Sequence, residues 1–291
     1  MKNPSIAVIL ITLNEAHNLK RLFKNLYGWA NEIYVLDSYS KDNTVDICLQ
    51  NGIKVYQRKF TNFGDQWNAA LNLFDVKSDW VMKMDPDETL TEELKNNIFN
   101  ELNNTDCEGF YLNRRLWFMT KPLPVKQKIL RIWKKGKCTF TDSLVNEQPV
   151  VDGKLGFCKG DMSHFDSPNL EFWTHKQNLY TTAEALARFK NLGLAEQPKL
   201  LGNPLQRRMF LKKIFYYIPF RYLILFLYHF IILGAFRSGK IGYIWSRLRA
   251  DVYRNTEYKF HEYKIAGYID LETNFGHGDP DSRCKQFEST I

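Results

Sequence analysis

Two aspartates, Asp85 and Asp87, are the side chains of this sequence whose type and spacing point most directly to chemistry. They follow the apolar segment Trp80-Val-Met-Lys-Met84, which has the length and character of a short buried strand. Pro86 ends that strand because it lacks an N–H, and the two carboxylates project from one face of extended backbone. They repel unless a cation lies between them, and Mg²⁺ and Mn²⁺ prefer carboxylate oxygen. The segment indicates a metal site that holds a phosphate group; a solvated acidic turn before the next helix is the alternative.

The elements that must position these carboxylates alternate between strand and helix through the first 100 residues. Apolar periodicity predicts strands at 5–12, 32–37, 52–56 and 80–84, and helices at 18–29, 45–50 and 64–74. The alternation predicts an α/β fold, a parallel sheet with helices on both faces, in which ligands bind beyond the carboxyl ends of the strands. Glu15 and Asp37 follow the first two strands, so we expect them to share one rim of the sheet with Asp85 and Asp87.

The second half of the chain has a different pattern. Strands of mixed polarity are predicted from residue 109, at 128–133 and around 144–155, and a helix is predicted at 170–192. Residues 203–236 are basic and then strongly apolar, and 239–263 have the pattern of an amphipathic basic helix. The polar, glycine-containing end of the chain, residues 266–291, is expected to be a flexible tail.

Composition narrows the class of protein without naming a function. The chain has 291 residues, of which 44% are hydrophobic, which excludes general disorder. A formal net charge of +8 suits nucleic acid, anionic lipid or phosphorylated substrates. The five cysteines are odd in number and have no Cys-x-x-Cys spacing, so neither a disulfide framework nor a zinc site is indicated and a reducing compartment is expected. The N-terminal residues have the pattern of a first strand and not that of a signal peptide.

Three segments and one single residue together resemble the inverting family 2 glycosyltransferases of GT-A fold. They are Ile11-Thr-Leu-Asn-Glu15, Leu36-Asp-Ser-Tyr-Ser-Lys-Asp-Asn-Thr44, Asn68 and Met84-Asp-Pro-Asp-Glu88. Within that family, the chain looks most similar to the branch that glucosylates the lipopolysaccharide inner core, where Asp-Ala-Asp-Glu is usual. The resemblance covers about residues 5–265 and implies a mixed, mainly parallel sheet flanked by helices, with a basic and apolar helical C-terminal extension.

The resemblance also implies a division of the chain and a set of donor contacts. Residues 1–200 would be the catalytic domain, with a nucleotide-sugar half at 1–108 and an acceptor half at 109–200, and residues 201–265 would form the extension. The family positions that bind the nucleotide sugar correspond here to Thr12, Asn14, Glu15, Asp37, Ser38, Asp42, Asn68 and Asp85. Asp37 would meet the base, Asp85 would lie near the ribose and the metal, and Asp87 would bind the Mn²⁺ or Mg²⁺ that neutralises the diphosphate.

An inverting transfer also needs a general base that takes the proton of the attacking hydroxyl. The branch has this base in a Val-His-Glu segment, and the match here is Leu144-Val-Asn-Glu147, with Asn146 in place of the histidine. We expect Glu147 to be the base, with Asp142 and Asp161 as alternatives. A structural ion pair between Glu147 and a lysine is the competing interpretation.

Two further residues are candidates for the donor site. His164, in what reads as a polar loop, is expected to ligate the metal or the diphosphate, because neutral imidazole coordinates such ions. Arg131 alternates with apolar residues, so it could point into the cleft and pair with phosphate or, alternatively, lie on the surface of a strand.

The most hydrophobic run of the chain is at residues 222–236. As one helix it would reach roughly 22 Å, less than the ~30 Å of a bilayer core, and basic residues lie on both sides. We favour a helix in the interface of an anionic membrane, at the inner face of the cytoplasmic membrane. A contact with another subunit and a spanning helix are the alternatives.

These observations lead to one main hypothesis and two alternatives. The main one is a metal-dependent inverting glycosyltransferase that moves a sugar, glucose by the resemblance, from a UDP-sugar to a lipopolysaccharide-core or other lipid-linked glycan. Sugar nucleotidyltransferases generally have a glycine-rich phosphate loop after the first strand. This chain has no glycine before Gly28, which argues against that class. A non-enzymatic basic module that binds membranes or nucleic acid leaves the strand-end acids unexplained, and we expect no nucleic-acid partner.

Overall fold

A computed structural model describes residues 4–103, 105–141, 147–191, 197–202 and 204–267. The chain forms two compact units. Within the described residues, the first comprises 4–117 and 126–166, and the second comprises 118–125 and 167–267. The functional division at residue 200 stays a prediction, and all but the first two residues of the predicted tail lie outside the described residues.

Within the described residues, the first unit contains four helices and, apart from residues 118 and 121–125, the sheet that they flank. Its helices are α1 (Ala16–Leu26), α2 (Thr44–Gln50), α3 (Phe63–Leu73) and α4 (Glu92–Asn103). The strands of the sheet are β1 (Ile6–Thr12), β2 (Glu32–Asp37), β3 (Lys54–Gln57), β4 (Trp80–Lys83), β5 (Glu88–Leu90), β6 (Gly109–Phe118), β7 (Lys121–Lys134) and β10 (Leu155–His164). A separate antiparallel pair is formed by β8 (Cys138–Phe140) and β9 (Pro149–Val151).

The strands of this sheet run in the order β3-β2-β1-β4-β7-β6-β10-β5 among the described residues. Parallel pairs join β1 to β2 and β4, β2 to β3, and β6 to β10. Antiparallel pairs of the sheet include β4 with β7 and β5 with β10. The predicted fold class, a mixed and mainly parallel sheet flanked by helices with a helical C-terminal part, is confirmed.

The first strand is central because both of its faces are covered. Ile6, Val8 and Leu10 lie in one core cluster with apolar residues of α1 and α4, including Leu22 and Leu94. Ala7 and Ile9 lie in a second cluster, with Trp67 and Ala70 of α3. A strand apolar on both faces is what parallel sheets require, since helices cover each side. This packing holds the carboxyl end of β1 at the rim where the candidate site lies.

The second unit contains α5 (Leu170–Phe189), α6 (Pro204–Phe215), α7 (Arg221–Leu227) and α8 (Gly239–Ala266). Arg221 of α7 forms a bidentate ion pair with Glu257 of α8, with donor–acceptor distances of 2.6 and 3.0 Å. Lys259 of α8 donates to Asn178 and to the hydroxyls of two threonines of α5. These polar contacts tie both helices to α8.

The apolar run at 222–236, expected as one helix, is interrupted. α7 passes into a π-helical turn at Tyr228–Ile232, and a 3₁₀ turn at Ala235–Ser238 leads into α8. Gly242 of α8 lies so close to the Ala235 carbonyl that a Cβ there would come within 1.8 Å of its oxygen. Among the described residues no single helix meets the length and hydropathy of a membrane span. In the same described part of the chain, the pair Arg221–Ile232 and Ala235–Ala266, bent by 70°, meets these criteria together, by length and composition alone.

Candidate active site

The rim of the sheet is organised around the carboxylate of Asp37. The register of β1 and β2 places Thr12 opposite Asp37, and the Thr12 hydroxyl donates to Asp37 Oδ1 at 2.9 Å. The same carboxylate accepts hydrogen bonds from the Ser40 N–H and hydroxyl and from the Gln57 amide, at 2.8, 2.5 and 3.0 Å. Both Thr12 and Asp37 are buried. Asp37 therefore holds the ends of three neighbouring strands in one arrangement.

The loops that follow β1 and β2 are joined by further hydrogen bonds. The Asn14 N–H donates to Ser40 Oγ at 2.8 Å, the Glu15 N–H donates to Thr44 Oγ1 at 2.8 Å, and the Ala16 N–H donates to Asp42 Oδ2 at 3.1 Å. Asn14 adopts a left-handed backbone conformation, with φ 55°, which asparagine tolerates better than most residues. The structure thus brings the predicted residues Asn14, Glu15 and Asp42 together at this rim.

Two other predicted donor contacts, Ser38 and Asn68, have protein partners. The Ser38 hydroxyl accepts a hydrogen bond from the buried Gln66 amide of α3 at 3.1 Å. The Asn68 side chain pairs with both backbone groups of Phe140, at 2.9 and 2.8 Å. In this structure Asn68 ties α3 to β8, and β8 is the last strand before the segment that leads to Glu147.

Asp85, which is half-buried, forms a charge cluster with the buried side chains of Glu88 and Arg131. Arg131 Nη2 contacts Asp85 Oδ2 and Glu88 Oε1, both at 2.7 Å, and Glu88 Oε2 accepts from the Asp85 N–H at 2.9 Å. Burial opposes ionisation of Asp85, but the charges of Arg131, Lys83 and Arg114 outweigh it and lower the pKa of its carboxyl well below the ordinary value. For the fully buried Glu88, burial dominates and raises the pKa. Arg131 is buried rather than on the surface, and it holds carboxylates where we expected phosphate.

Asp87, His164 and Asp166 converge on one point. Each offers a ligand atom, and these atoms lie within 4.8 Å of one another. The antiparallel register of β5 and β10 brings them together, because it pairs His164 with Glu88 and lets the Phe165 N–H donate to the Asp87 carbonyl at 2.8 Å. His164 is the last residue of β10, so the expectation that it lies in a loop is wrong.

The chemistry of this donor set fits a divalent cation. Two carboxylates and one imidazole suit Mn²⁺ and are acceptable to Mg²⁺, which favours oxygen and keeps several waters. His164 Nε2 lies 3.2 Å from Asp87 Oδ2, a separation that two ligands of one ion can have. Asp85 is absent from this group of ligand atoms because its side chain faces Arg131.

Arg21 of α1 contributes positive charge next to this cation site. Its guanidinium stacks on Phe165 at 4.2 Å from the ring centroid and donates to Asn18 Oδ1 at 2.6 Å. Burial lowers the pKa of Arg21, and the neighbouring carboxylates of Asp87 and Glu15 act in the opposite direction. An arginine at this position could share the charge of a diphosphate with a bound cation.

Glu147 pairs with Lys83, the last residue of β4. The Lys83 ammonium lies 2.7 Å from Glu147 Oε1 and also sits over the rings of Trp67 and Phe140, at 4.3 and 5.2 Å from their centroids. An ion pair between Glu147 and a lysine is the competing interpretation given above, and the structure contains that pair. Lys83 nevertheless helps to lower the pKa of Asp85, and Glu147 is among the charges that raise the pKa of Arg131. Glu147 therefore belongs to the same charge cluster as the strand-end acids.

The alternative bases have different surroundings. Asp161 is engaged by two cations, with Lys126 Nζ at 2.8 Å and Arg115 Nε at 3.1 Å. Asp142 and Asn146 lie outside the described residues. Among the described candidates, Glu147 is the carboxylate that shares a cluster with Asp85.

Several residues of the site were missed from the sequence: Arg21, Lys83, Glu88 and Asp166. Asp166 could have been found, because it lies two residues after His164 and extended backbone would place both on one side. Glu88 ends the segment Met84-Asp-Pro-Asp-Glu88, and the sequence alone assigns it no role. Nothing in the sequence distinguishes Arg21 or Lys83 from other basic residues, because their positions follow from packing.

Comparison with known proteins gives a consistent result. Residues 7–166 match the family model described as Glycosyl transferase family 2. An uncharacterized glycosyltransferase of Rickettsia prowazekii (strain Madrid E) is 25% identical over 217 residues, which cover 68% of this chain and 70% of that protein. An uncharacterized glycosyltransferase of Rickettsia felis is 26% identical over 214 residues, covering 68% and 73%.

Solved structures show a weaker likeness. The crystal structure of S. aureus TarS 1-349 in complex with UDP covers 95% of this chain and 98% of that chain, at 14% identity and a TM-score of 0.43. A TM-score below 0.5 does not by itself transfer that ligand to this chain.

Proposed function

The chain belongs to glycosyl transferase family 2 and is a glycosyltransferase, and we propose that it transfers glucose from UDP-glucose to a hydroxyl of a lipid-linked glycan with inversion at the anomeric carbon. The acceptor in this proposal is a sugar of the lipopolysaccharide inner core. The resemblance of the strand-end motifs to that branch supports the choice of donor and acceptor.

The observation that carries the proposal is the convergence of Asp87, His164 and Asp166 beside the rim that Asp37 organises. A nucleotide diphosphate is a leaving group with high negative charge, and a divalent cation bound by this set would neutralise that charge as it develops. Arg21 would add a second positive group on the same side. Thr12, Asn14, Glu15, Ser38 and Asp42 would form the wall against which the nucleoside lies.

Asp85 has a supporting role in the proposal. Its carboxylate is kept ionised and oriented by Arg131, and an ionised carboxylate is a good acceptor for the ribose hydroxyls of a nucleotide. In the proposal Arg131 acts as a positioning residue through Asp85, and the expectation that it contacts phosphate stays a prediction.

Glu147 is the general base of the proposed reaction. As the acceptor oxygen attacks the anomeric carbon, its proton passes to the Glu147 carboxylate, the bond to the diphosphate breaks, and UDP leaves. The Lys83 ammonium holds one carboxylate oxygen, Oε1, which orients the group and leaves Oε2 to face the acceptor.

We place the protein in the cytoplasm, at the inner face of the cytoplasmic membrane. Four free and buried cysteines among the described residues, Cys48, Cys107, Cys138 and Cys158, are compatible with a reducing compartment. A lipid-linked acceptor would require the active site to work near a bilayer.

Metal-dependent nucleotide binding tests the proposal. In a thermal shift assay, UDP together with Mn²⁺ should stabilise the protein more than either alone. With UDP at about 100 times its Kd in the presence of Mn²⁺, the stabilisation relative to the unliganded protein should be roughly 2.7 kcal/mol. Asp87→Asn should abolish the part of the shift that depends on Mn²⁺, because it removes a charged ligand.

Asp106→Asn is the matched control, since Asp106 is a carboxylate of the same unit that is exposed and paired with Lys154. It should leave the shift unchanged. A chain that shows no response to UDP, or an Asp87→Asn variant that responds to Mn²⁺ like the parent, would contradict the proposal. Hydrolysis of a panel of nucleotide sugars would identify the donor.

A further inference from the structure

The second unit carries an exposed apolar stripe, which we define as Leu223, Ile224, Leu227, Tyr228, Ile231 and Ile232. These residues recur at spacings of one and three, so they share one side of α7 and the π-helical turn. Their exposed fractions run from 40% for Leu227 to 73% for Ile232, and five of them line a shallow hollow of about 320 Å³. Contiguous apolar surface of this kind marks an interaction site in soluble proteins.

The opposite side of the same segment supplies its core contacts. His229 is buried, donates from Nδ1 to the Leu225 carbonyl at 2.8 Å, and packs against Trp245 of α8 with ring centroids 5.2 Å apart. Phe226 and Phe230 pack against Tyr243 at 5.6 and 6.1 Å. These contacts with α8 are made by Phe226, His229 and Phe230, none of which belongs to the apolar stripe.

The charge of the whole chain is concentrated around this stripe. Residues 204–250 contain nine Lys and Arg residues and no Asp or Glu. The complete chain has 40 basic and 32 acidic residues, so the rest of it contains 31 basic and 32 acidic residues and is nearly neutral. The excess positive charge of this protein thus belongs to the segment that contains the apolar stripe.

Exposed basic and aromatic side chains flank the stripe along the chain. The exposed basic residues include Lys213, Arg237, Lys240 and Arg247. The exposed aromatic residues include Tyr217, Phe220 and Phe236, at 85%, 80% and 48%. Aromatic rings favour the boundary between water and hydrocarbon, and clustered basic residues are attracted to anionic lipid head groups.

We propose that this face of the second unit docks on the surface of an anionic phospholipid bilayer. The apolar stripe enters the boundary between head groups and acyl chains, while the basic residues pair with lipid phosphates. A second copy of the chain fits the same face poorly. A two-fold interface would place the segment against itself, and like charges would meet with no acidic residue of the segment to compensate them.

The proposed membrane binding does not depend on the transferase activity, so vesicle binding is measured without donor or metal. The full chain is mixed with vesicles of phosphatidylcholine alone or with phosphatidylglycerol, and the bound fraction is measured by flotation. We expect binding to the anionic vesicles, loss of binding as NaCl is raised, and little binding to the neutral ones.

Exposed positions allow variants that leave the core intact. Ile232→Glu should weaken vesicle binding by at least about tenfold, because it puts a charge where an apolar side chain enters the boundary. Arg237→Glu and Lys240→Glu should each weaken binding by roughly fivefold or more. Leu49→Glu and Lys24→Glu, exposed positions of the first unit, are the controls and should bind like the parent.

Three results would overturn the proposal. The first is no flotation with either vesicle, and the second is equal binding to neutral and anionic vesicles. The third is a dimer in light scattering that Ile232→Glu converts to a monomer, which would assign the stripe to a second copy. Ile232→Glu should retain the shift with UDP and Mn²⁺, so a failure of membrane binding is distinguishable from a failure of the proposed donor site.

Discussion

Lys83 connects the candidate base Glu147 with the strand-end carboxylate Asp85. It is buried between Trp67 and Phe140, pairs with Glu147, and contributes to the low pKa of Asp85. A buried ammonium is costly unless it is paired, so Lys83 requires the Glu147 carboxylate. The ion pair is thus a structural necessity and also a means of orienting a base.

Replacing Glu147 with Gln separates the two roles. If Glu147 is the base, Glu147→Gln should lower kcat by about 10²- to 10⁴-fold, while the thermal shift with UDP and Mn²⁺ persists, because donor contacts are untouched. Transfer is measured with a saturating acceptor. Turnover within tenfold of the parent would show that the proton goes elsewhere, and Asp161→Asn would then be the next variant to assay.

Lys83→Met is the matched control for that experiment. It breaks the same ion pair and places an apolar side chain between the two rings, but it leaves the carboxylate of Glu147 in place. It should keep far more activity than Glu147→Gln. Equal losses in the two variants would assign a structural role to the pair and none to Glu147 alone.

At the scale of elements, the cation site depends on a bulge in β10. The register of β10 against β6 shifts between Phe157 and Asp161, and after this shift His164 pairs with Glu88 of β5. Gly160 lies in the bulge with φ +104°, and a Cβ there would lie 2.8 Å from the backbone nitrogen of Leu94 in α4. The glycine thus permits both the bulge and the close approach of α4.

We expect Gly160→Ala to destabilise the protein more than Gly136→Ala. Both positions have positive φ, but an alanine at Gly136 meets nothing within 4 Å, so only the backbone strain of about 1–2 kcal/mol applies there. At Gly160 a clash with α4 adds roughly 1–3 kcal/mol. Urea unfolding measures the difference, and equal losses for the two variants would show that α4 moves aside at little cost.

The helices of the second unit give a prediction about pH. Burial lowers the pKa of His229 to about 4, opposed by its hydrogen bond with the Leu225 carbonyl and assisted by the charge of Arg249. The folded state therefore favours neutral imidazole, and this contribution is complete above the unfolded-state pKa of about 6.5 and is lost as the pH falls towards 4. At pH 5 the loss amounts to roughly 2 kcal/mol.

The measurement compares urea unfolding at pH 7.5 and pH 5 for the parent and His229→Gln, without lipid. The parent should lose more stability on acidification than the variant, whose residue 229 does not titrate. If the two proteins lose equal stability between these pH values, His229 is not held neutral by the fold.

At the scale of the whole molecule, charge and chemistry are divided between the units. The candidate site lies entirely in the first unit, where acids and bases pair in buried clusters. The excess of basic residues and the apolar stripe lie in the second. The net charge of +8, which suggested several partners when averaged over the chain, is therefore a property of one segment, and lipid phosphate is the partner that we propose for it.

The sequence by itself determined the fold class and the class of enzyme. Apolar periodicity depends on neighbours along the chain, so it placed most strands and helices of the first unit, and the strand-end motifs pointed to a glycosyltransferase. It also indicated Asp87 and His164 as ligands, although their roles stay predictions.

Only the tertiary structure decided which charged groups meet. The antiparallel register of β5 and β10 added Asp166 to Asp87 and His164, and side-chain packing joined Arg131 to Asp85 and Lys83 to Glu147. These contacts join residues 46 and 64 positions apart, and the local sequence around one residue carries no information about a partner so distant. Periodicity reports which face of an element is buried, whereas the partner of a buried charge is set by strand order and register.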